Sequence, residues 1–173
     1  LRTIMMTAKI LKKTDFSHNL KNLGKNYRLI GPVPREDRFE LAILGEGEEP
    51  DFSFQNTRLS LKELVQPPSE RMFQFSLNPS DPEAHILKEV PWDDTPRLLL
   101  GVRPCDARAL NLVRENFVNS DYVDPWWQHN RETLTLVGLG CNQPCAPCFC
   151  TSVGSGPFDS AGLDVLLTDL GDA

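Results

Sequence analysis

The pattern of apolar and polar positions changes character near residue 97. Beyond it lie two continuous apolar runs of strand length, Arg97–Val102 and Leu134–Leu139, which are typical of parallel strands covered on both faces. Between them, residues 104–117 carry apolar side chains at near-helical spacing, with Asp106 in the first turn. The pattern predicts a βαβ unit with a right-handed connection, and residues 163–168 are predicted to add a third strand to its sheet.

Before residue 97 the pattern predicts shorter elements. Gly24 is expected to end a helix that begins at Asp15 or Ser17, and Gly31-Pro32 to end a strand at 27–30. Residues 78–96 are rich in Pro and Asp and predict a long connection with one helical turn near 84–88. The remaining predicted elements are strands at 4–10, 39–44 (antiparallel to 27–30), 51–57 and 72–75, and one or two helical turns at 60–65.

These elements together predict an α/β fold with a mixed sheet. Residues 1–96 would form a mixed α+β part with antiparallel pairing and a long connection, and residues 97–173 a βαβ part with a parallel core. We expect both parts to belong to one domain, because 173 residues are enough to bury most of the apolar surface without disulfides.

Composition excludes several classes of function. The chain is 40% hydrophobic and 24% charged, with a formal net charge of −6, so no basic surface is expected to gather nucleic-acid phosphates. No apolar stretch approaches the roughly 20 residues of a membrane-spanning helix. The N-terminal residues lack the continuous apolar region of a signal peptide. We therefore expect a cytoplasmic protein with no membrane span.

The cysteines are the strongest chemical signal. Cys105 follows the first apolar run by three residues, and the other four lie within ten residues that begin two after the second run: Cys141, Cys145, Cys148 and Cys150. Because the carboxyl ends of parallel strands meet at one edge of a sheet, we expect the loop from 141 to 150 to fold over Cys105. An odd number of cysteines without an export signal favours reduced thiols or metal ligands over disulfides.

Three kinds of thiol site fit this pattern. A 4Fe–4S cluster needs four thiolates, which Cys105, Cys141, Cys148 and Cys150 can supply, with Cys145 as the surplus thiol or a substitute ligand. A structural zinc ion can use four of the five. A redox-active pair at Cys145 and Cys148 is disfavoured because this C-x2-C does not open a helix. Cys105 alone can also be a small buried residue or a thiol activated at a helix N-terminus.

Charged and aromatic neighbours add two further hypotheses. Arg103 and Asp106 flank Cys105 and form either an ion pair that fixes the turn or a pair that tunes a cluster or holds a cofactor phosphate. Trp126-Trp127 is interpreted as an aromatic plug or a partner contact. Residues 154–157, Gly-Ser-Gly-Pro, lack the following helix and the Lys of a P-loop, so no nucleotide phosphate is predicted there.

Two longer motifs carry a family resemblance. They are Gly101-Val-Arg-Pro-Cys-Asp-Ala-Arg-Ala-Leu110 and Cys148-Phe-Cys-Thr-Ser-Val-Gly-Ser-Gly-Pro157. With them the chain resembles the N-terminal domain of a family of iron–sulfur electron-transfer proteins, which includes the beta subunits of sulfhydrogenases and their counterparts in anaerobic sulfite reductases. Further matches follow in the family's order: Ile30-Gly-Pro32, Asn56-Thr57, Lys62-Glu63, Gln66-Pro67, Asp124-Pro125, Arg131-Glu132 and Asp164-Val-Leu-Leu-Thr-Asp-Leu-Gly171.

The resemblance implies an electron-transfer subunit of a multi-subunit hydrogenase or sulfite reductase, without catalytic activity of its own. It would pass electrons through one 4Fe–4S cluster, held by Cys105, Cys141, Cys148 and Cys150, between the flavin diaphorase and the catalytic component of the complex. Partner contacts would use the Trp126-Trp127 region or the cysteine loop. The family's further ferredoxin-like module, with two more clusters, is expected to be absent, as in an excised domain or a shortened relative.

Two alternative functions remain open. One is a structural zinc or metal-free domain that docks its neighbouring subunits. The other is a flavin-binding subunit that holds FAD, since Pro104-Cys105-Asp106 and Phe149-Cys150 are distantly similar to the beta subunits of deazaflavin-reducing hydrogenases.

Overall fold

The fold is α/β with a mixed sheet, as predicted, and the sheet has five strands. The structure, a computed structural model, describes residues 8–171. The helices are α1 (Lys13–Leu23), α2 (Pro104–Arg114) and α3 (Pro125–Glu132), with short 3-10 helices at Leu61–Leu64 and Cys150–Val153. The strands are β1 (Arg28–Arg35), β2 (Arg38–Ile43), β3 (Phe73–Gln74), β4 (Lys88–Glu89), β5 (Arg97–Val102), β6 (Leu134–Leu139) and β7 (Val165–Leu167).

The sheet has the order β2-β1-β5-β6-β7. Strands β1, β5, β6 and β7 are parallel to one another, and β2 pairs antiparallel with β1. The βαβ prediction is therefore confirmed, since β5 leads through α2 and α3 into its parallel neighbour β6. Strands β3 and β4 form a separate antiparallel pair. No helix within residues 8–171 is long and apolar enough to cross a membrane.

Both faces of the sheet are covered, which explains why β5 is apolar after Arg97 and β6 is apolar except at Thr135. One face packs against α2, α3 and the 3-10 helix at Leu61–Leu64, and its buried side chains are Ile30, Leu61, Val65, Leu99, Val102, Ala107, Leu110, Trp127, Leu134 and Leu136. The other face packs against α1, and its buried side chains are Leu20, Leu29, Val33, Leu44, Leu98, Leu100 and Val137.

A bulge at Gly101 reverses the alternation of side chains near the end of β5. Gly101 has φ +80°, and the register with β6 shifts between Leu100 and Val102. In a regular strand Val102 would lie on the same face as Leu98 and Leu100, but it packs with Leu99 on the α2 face. The bulge therefore sets the direction in which the chain enters α2.

Strand β1 continues past Gly31-Pro32, where the sequence predicted its end. Only Arg28, Leu29 and Ile30 pair with β5, whereas pairing with β2 continues to Arg35. The Pro32 carbonyl accepts the N–H of Asp51 (2.8 Å) rather than a donor from β2. Because the missing N–H of Pro32 would also face away from β2, the proline removes no bond from the β1–β2 ladder.

Three other predictions fail or fall partly outside the described residues. Residues 51–57 are not a strand: Phe52 packs against Phe16 in α1 and Phe54 against Phe39 in β2 (5.6 and 6.1 Å between ring centroids), and Thr57 makes an isolated bridge with Phe39. The helical turn expected near 84–88 is instead a turn at residues 82–85, and β4 begins at Lys88 after two irregular residues. In the strand predicted at 4–10, residues 8–10 are irregular and residues 4–7 lie outside the described range.

Helix α3 was not predicted, although its start carries a local signal. The Asp124 carboxylate accepts the N–H of Trp127 (2.9 Å), and Pro125 occupies the first turn. This is a standard N-terminal cap followed by a proline whose missing N–H is not needed. The helix has only eight residues, too few for a clear helical period.

Leu110 and Leu112 provide a matched test of the α2 packing. Leu110 is 1% exposed and Leu112, on the same helix, is 57% exposed. We expect Leu110→Ala to lower the free energy of unfolding by about 2–5 kcal/mol, because it leaves a cavity against the sheet. Leu112→Ala should change it by less than about 0.5 kcal/mol. Urea unfolding followed by circular dichroism measures both, and equal effects would contradict this packing.

The bulge can be tested with a glycine pair. An added Cβ at Gly101 would meet Phe52 and Phe54 at 3.3 Å in a left-handed backbone conformation, whereas Gly156 has nothing within 4 Å and no such conformation. Gly101→Ala is expected to destabilise the fold by about 1–3 kcal/mol. Gly156→Ala should leave stability unchanged within error. A Gly101→Ala protein as stable as wild type in urea unfolding would show that the bulge is not required.

Candidate metal centre at the carboxyl edge of the sheet

Cys105 lies in the first turn of α2, directly beyond the carboxyl end of β5. Arg103 is the N-cap of this helix and Pro104 begins it, so no cap side chain competes for the first N–H groups. Cys105 keeps solvent-accessible surface, yet burial of its sulfur raises the pKa of the thiol, and the Asp106 carboxylate adds to the rise. Arg103 and the backbone N–H groups of Cys105 and Asp106 oppose this rise.

Arg103 is held by residues that the sequence did not associate with it. Its guanidinium donates to Asn56 Oδ1 at 2.9 Å and lies 5.7 Å from the centroid of the Phe54 ring. The hydrogen bond therefore goes to Asn56 and not to Asp106, the partner proposed for fixing the turn. Local sequence gave no indication of this contact, because 47 residues separate Arg103 from Asn56.

Asp106 is exposed by its solvent-accessible surface, but neighbouring protein atoms displace part of the water around its carboxyl group. Burial raises its pKa, and the positive charges of Arg103 and Lys62 partly counteract the rise. Asp106 and Arg103 also line a cavity of about 240 Å³ at the end of β5, together with Phe54, Asn56, Ser60 and Gly101. This cavity is smaller than the roughly 300–1,000 Å³ typical of small-molecule sites.

Cys141 begins the cysteine loop just beyond the carboxyl end of β6. Its N–H donates to the Pro157 carbonyl at 2.9 Å, and the preceding Gly140 N–H donates to Leu167 at the end of β7. Its thiol donates to the Gln143 carbonyl at 3.5 Å. The start of the loop is thus bonded both to the sheet and to the segment that follows the loop.

Cys145 and Cys148 form a thiol pair on one tight turn. Their Sγ atoms are 2.9 Å apart, and the Cys148 N–H donates to the Cys145 carbonyl at 3.0 Å. The hydrogen bond from Cys148, followed by the nearby Arg103 guanidinium, lowers the pKa of Cys145. The same bond raises the pKa of Cys148, and the Cys141 thiol adds to that rise.

Cys150 begins the 3-10 helix at Cys150–Val153. Its carbonyl accepts the N–H of Ser155 at 3.0 Å, and Gly154 ends the helix at φ +70° in the left-handed region. Within residues 8–171, no hydrogen bond joins the Cys150 thiol to another cysteine. The glycine allows the chain to turn back at the end of the 3-10 helix that Cys150 begins.

The structure thus brings together some of the predicted ligands. Cys141, Cys145 and Cys148 lie within electrostatic range along the loop, and Arg103 acts on both Cys105 and Cys145. Across the described part of the chain, however, no three His, Cys, Asp or Glu side chains are close enough to hold one metal ion. The five cysteine thiols have the chemistry of a thiolate-ligated centre. They would have to move closer together to bind the same metal ion or cluster.

The two predicted partner-contact tryptophans have different environments. Trp127 is 4% exposed and stacks on Phe117 in the core, with centroids 6.0 Å apart. Trp126 is half-buried and stacks on Trp92 at 5.7 Å, and His129 meets Trp92 edge-on at 4.2 Å. This aromatic group lies near the amino ends of β5 and β6, at the opposite edge of the sheet from the cysteines. Its Trp92 member was not singled out from the sequence.

A larger groove lies beside α1. Its volume is about 1,000 Å³, and it is bordered by α1, the start of β1 and the acidic turn at residues 45–49. No cysteine lines this groove, so it is separate from the thiol site.

Comparisons with known protein families, with curated proteins and with solved structures found no match to this chain.

Proposed function

We propose that this chain carries one 4Fe–4S cluster at the cysteine loop and transfers electrons within a multi-subunit oxidoreductase of the hydrogenase or sulfite reductase type. The observation that carries the proposal is the position of Arg103, which acts electrostatically on Cys105 of α2 and on Cys145 of the loop. Arg103 therefore lies near thiols from two segments that are far apart in sequence. Thiolates are the usual ligands of iron–sulfur clusters.

The proposed ligands are Cys105, Cys141, Cys148 and Cys150, with Cys145 as the substitute ligand. Between Cys141 and Phe149 the loop contains no helix or strand. Reorientation of its thiols around a cluster would therefore break turns and single hydrogen bonds but leave the sheet ladders intact. Cys105 is the least movable ligand, because α2 is packed against the sheet.

The surrounding residues have defined roles in this proposal. A bound cluster would supply one-electron transfer. Arg103 would favour the anionic form of the ligand thiols, and the first N–H groups of α2 would stabilise the Cys105 thiolate. Asp106 acts in the opposite direction, since a negative carboxylate disfavours a second negative charge nearby. Arg103 and Asp106 would thus shift the reduction potential in opposite senses.

The partners in this proposal are the flavin diaphorase and the catalytic component of the same complex, in the cytoplasm. The half-buried Trp92–Trp126 stack and the cysteine loop are the proposed contact surfaces, and Trp127 is excluded because it is part of the core. Aromatic side chains that are partly exposed are frequent anchors at interfaces. The two surfaces lie at opposite edges of the sheet and therefore suit two different neighbours.

Anaerobic reconstitution with iron and sulfide tests the cluster. We expect about four iron and four sulfide per chain, with a broad visible charge-transfer absorption. Stoichiometric zinc without sulfide in the purified protein would instead support the structural zinc alternative. Flavin released by acid would support the flavin alternative. Either result would overturn the proposal.

The ligand assignment is tested by a matched pair of cysteine variants. Cys105→Ser should abolish cluster assembly, because no other thiol lies on α2. Cys145→Ser should retain it, because all four proposed ligands remain. Iron and sulfide content after reconstitution is the measurement, with circular dichroism as the control for folding. Equal loss in the two variants would contradict the assignment.

A further inference from the structure

The Cys145–Cys148 pair differs from the other thiols because its two sulfur atoms already touch. Their separation is 2.9 Å, and a disulfide bond requires about 2.05 Å, so the sulfurs need to approach by less than about 1 Å. Within the described residues the other three thiols make no hydrogen bond to a second cysteine. The structure therefore singles out one pair among the five cysteines.

The turn that carries the pair holds this geometry. The backbone of Cys145-Ala146-Pro147-Cys148 is closed by the bond from the Cys148 N–H to the Cys145 carbonyl at 3.0 Å. The Cys145 N–H in turn donates to Cys148 Sγ at 3.0 Å. Pro147 restricts its own φ and disfavours the helical region for Ala146, so the reduced turn has few alternative conformations.

The pair is also open to a reaction partner. Cys148 is exposed, and Cys145 is half-buried. Arg103 provides a positive charge near the Cys145 sulfur. This surface is therefore accessible to a small disulfide or to a disulfide on another protein.

We propose that, in the cluster-free chain, Cys145 and Cys148 form a reversible disulfide by exchange with a low-molecular-weight or protein disulfide. The Cys145 thiolate attacks one sulfur of the oxidant, forming a mixed disulfide and releasing the first thiolate. Cys148, after losing its proton, then attacks the Cys145 sulfur and releases the second. Two protein thiols are oxidised by two electrons and one disulfide is reduced to two thiols, which balances the exchange.

The disulfide has a consequence for cluster assembly, and this consequence rests on the proposed function. Bond formation removes the ligand Cys148 and its substitute Cys145 at the same time. Three thiols then remain, one fewer than a cubane cluster requires when cysteines are its only ligands. The pair therefore acts as a redox control on cluster assembly. In this control Cys145 is the partner that forms the disulfide with Cys148, a role separate from cluster ligation.

The disulfide is tested directly on cluster-free chain, reduced and desalted under anaerobic conditions and then treated with glutathione disulfide. We expect the wild-type chain to fall from five titratable thiols to three, with a mass lower by about 2 Da, and to regain both on treatment with a dithiol. Cys145→Ser and Cys148→Ser should show no such mass loss. Cys150→Ser, a matched control that keeps the pair, should still lose two thiols.

Two results would overturn the disulfide. One is a wild-type chain that keeps all five thiols in excess glutathione disulfide. The other is an equal 2 Da loss, again about the mass of two hydrogens, in Cys145→Ser or Cys148→Ser. Neither readout requires cluster binding, so a chain that forms the disulfide but never binds a cluster contradicts only the proposed function and the assembly step.

The control on assembly is tested by reconstituting chains after oxidation. Oxidised wild type should bind less than about a tenth of the iron bound by the reduced chain, because it retains three of the four required thiols. Cys145→Ser, which cannot form the pair, should bind as much iron after oxidation as before it. Equal iron binding by oxidised and reduced wild type, with the disulfide shown to persist, would overturn the redox control.

Discussion

The backbone bulge at Gly101 is the constraint on which the remaining structure depends. It lies in the central strand β5, between Leu100 and Val102, and moves Val102 to the face that α2 covers. The rings of Phe52 and Phe54 pack against this glycine, so that a Cβ atom added here would lie 3.3 Å from each ring. A side chain here would have to adopt a left-handed conformation and displace two aromatic rings. The glycine therefore directs the chain into α2 and brings Arg103 and Cys105 to the edge where the cysteine loop begins.

The sheet separates two kinds of chemistry. Because β5, β6 and β7 run parallel, the segments that follow them meet at one edge, and thiols, Arg103 and Asp106 collect there. The opposite edge carries the Trp92–Trp126 stack. Thiols at one edge and aromatic side chains at the other are separated by the length of a buried strand.

Much of the fold was predictable because a continuous apolar run of strand length is compatible with few structures other than a buried strand. β5 and β6 have the predicted bounds, since both faces are buried and every residue contributes to the signal. The strand expected at 51–57 is absent because Phe52 and Phe54 pack against the rings of Phe16 in α1 and Phe39 in β2 without forming a strand of the sheet. Alternation alone cannot distinguish that packing from a half-buried strand. β1 extends through its prolines because their missing N–H groups face away from β2. Such outcomes depend on which neighbour lies beside a strand, and local pattern carries no information about that neighbour.

The sequence by itself determined the donor chemistry of the candidate site: five thiols, four in one loop and one in the first turn of a helix that follows a buried strand. Only the tertiary structure decided which groups meet. It joined Arg103 to Asn56 across 47 residues, buried Trp127 while leaving Trp126 half-buried, and paired Cys145 with Cys148. The physical reason is that residue type sets what a side chain can bind. Distances of a few ångströms between sulfur atoms are set by the turns, bulges and helix positions that the whole packed chain imposes.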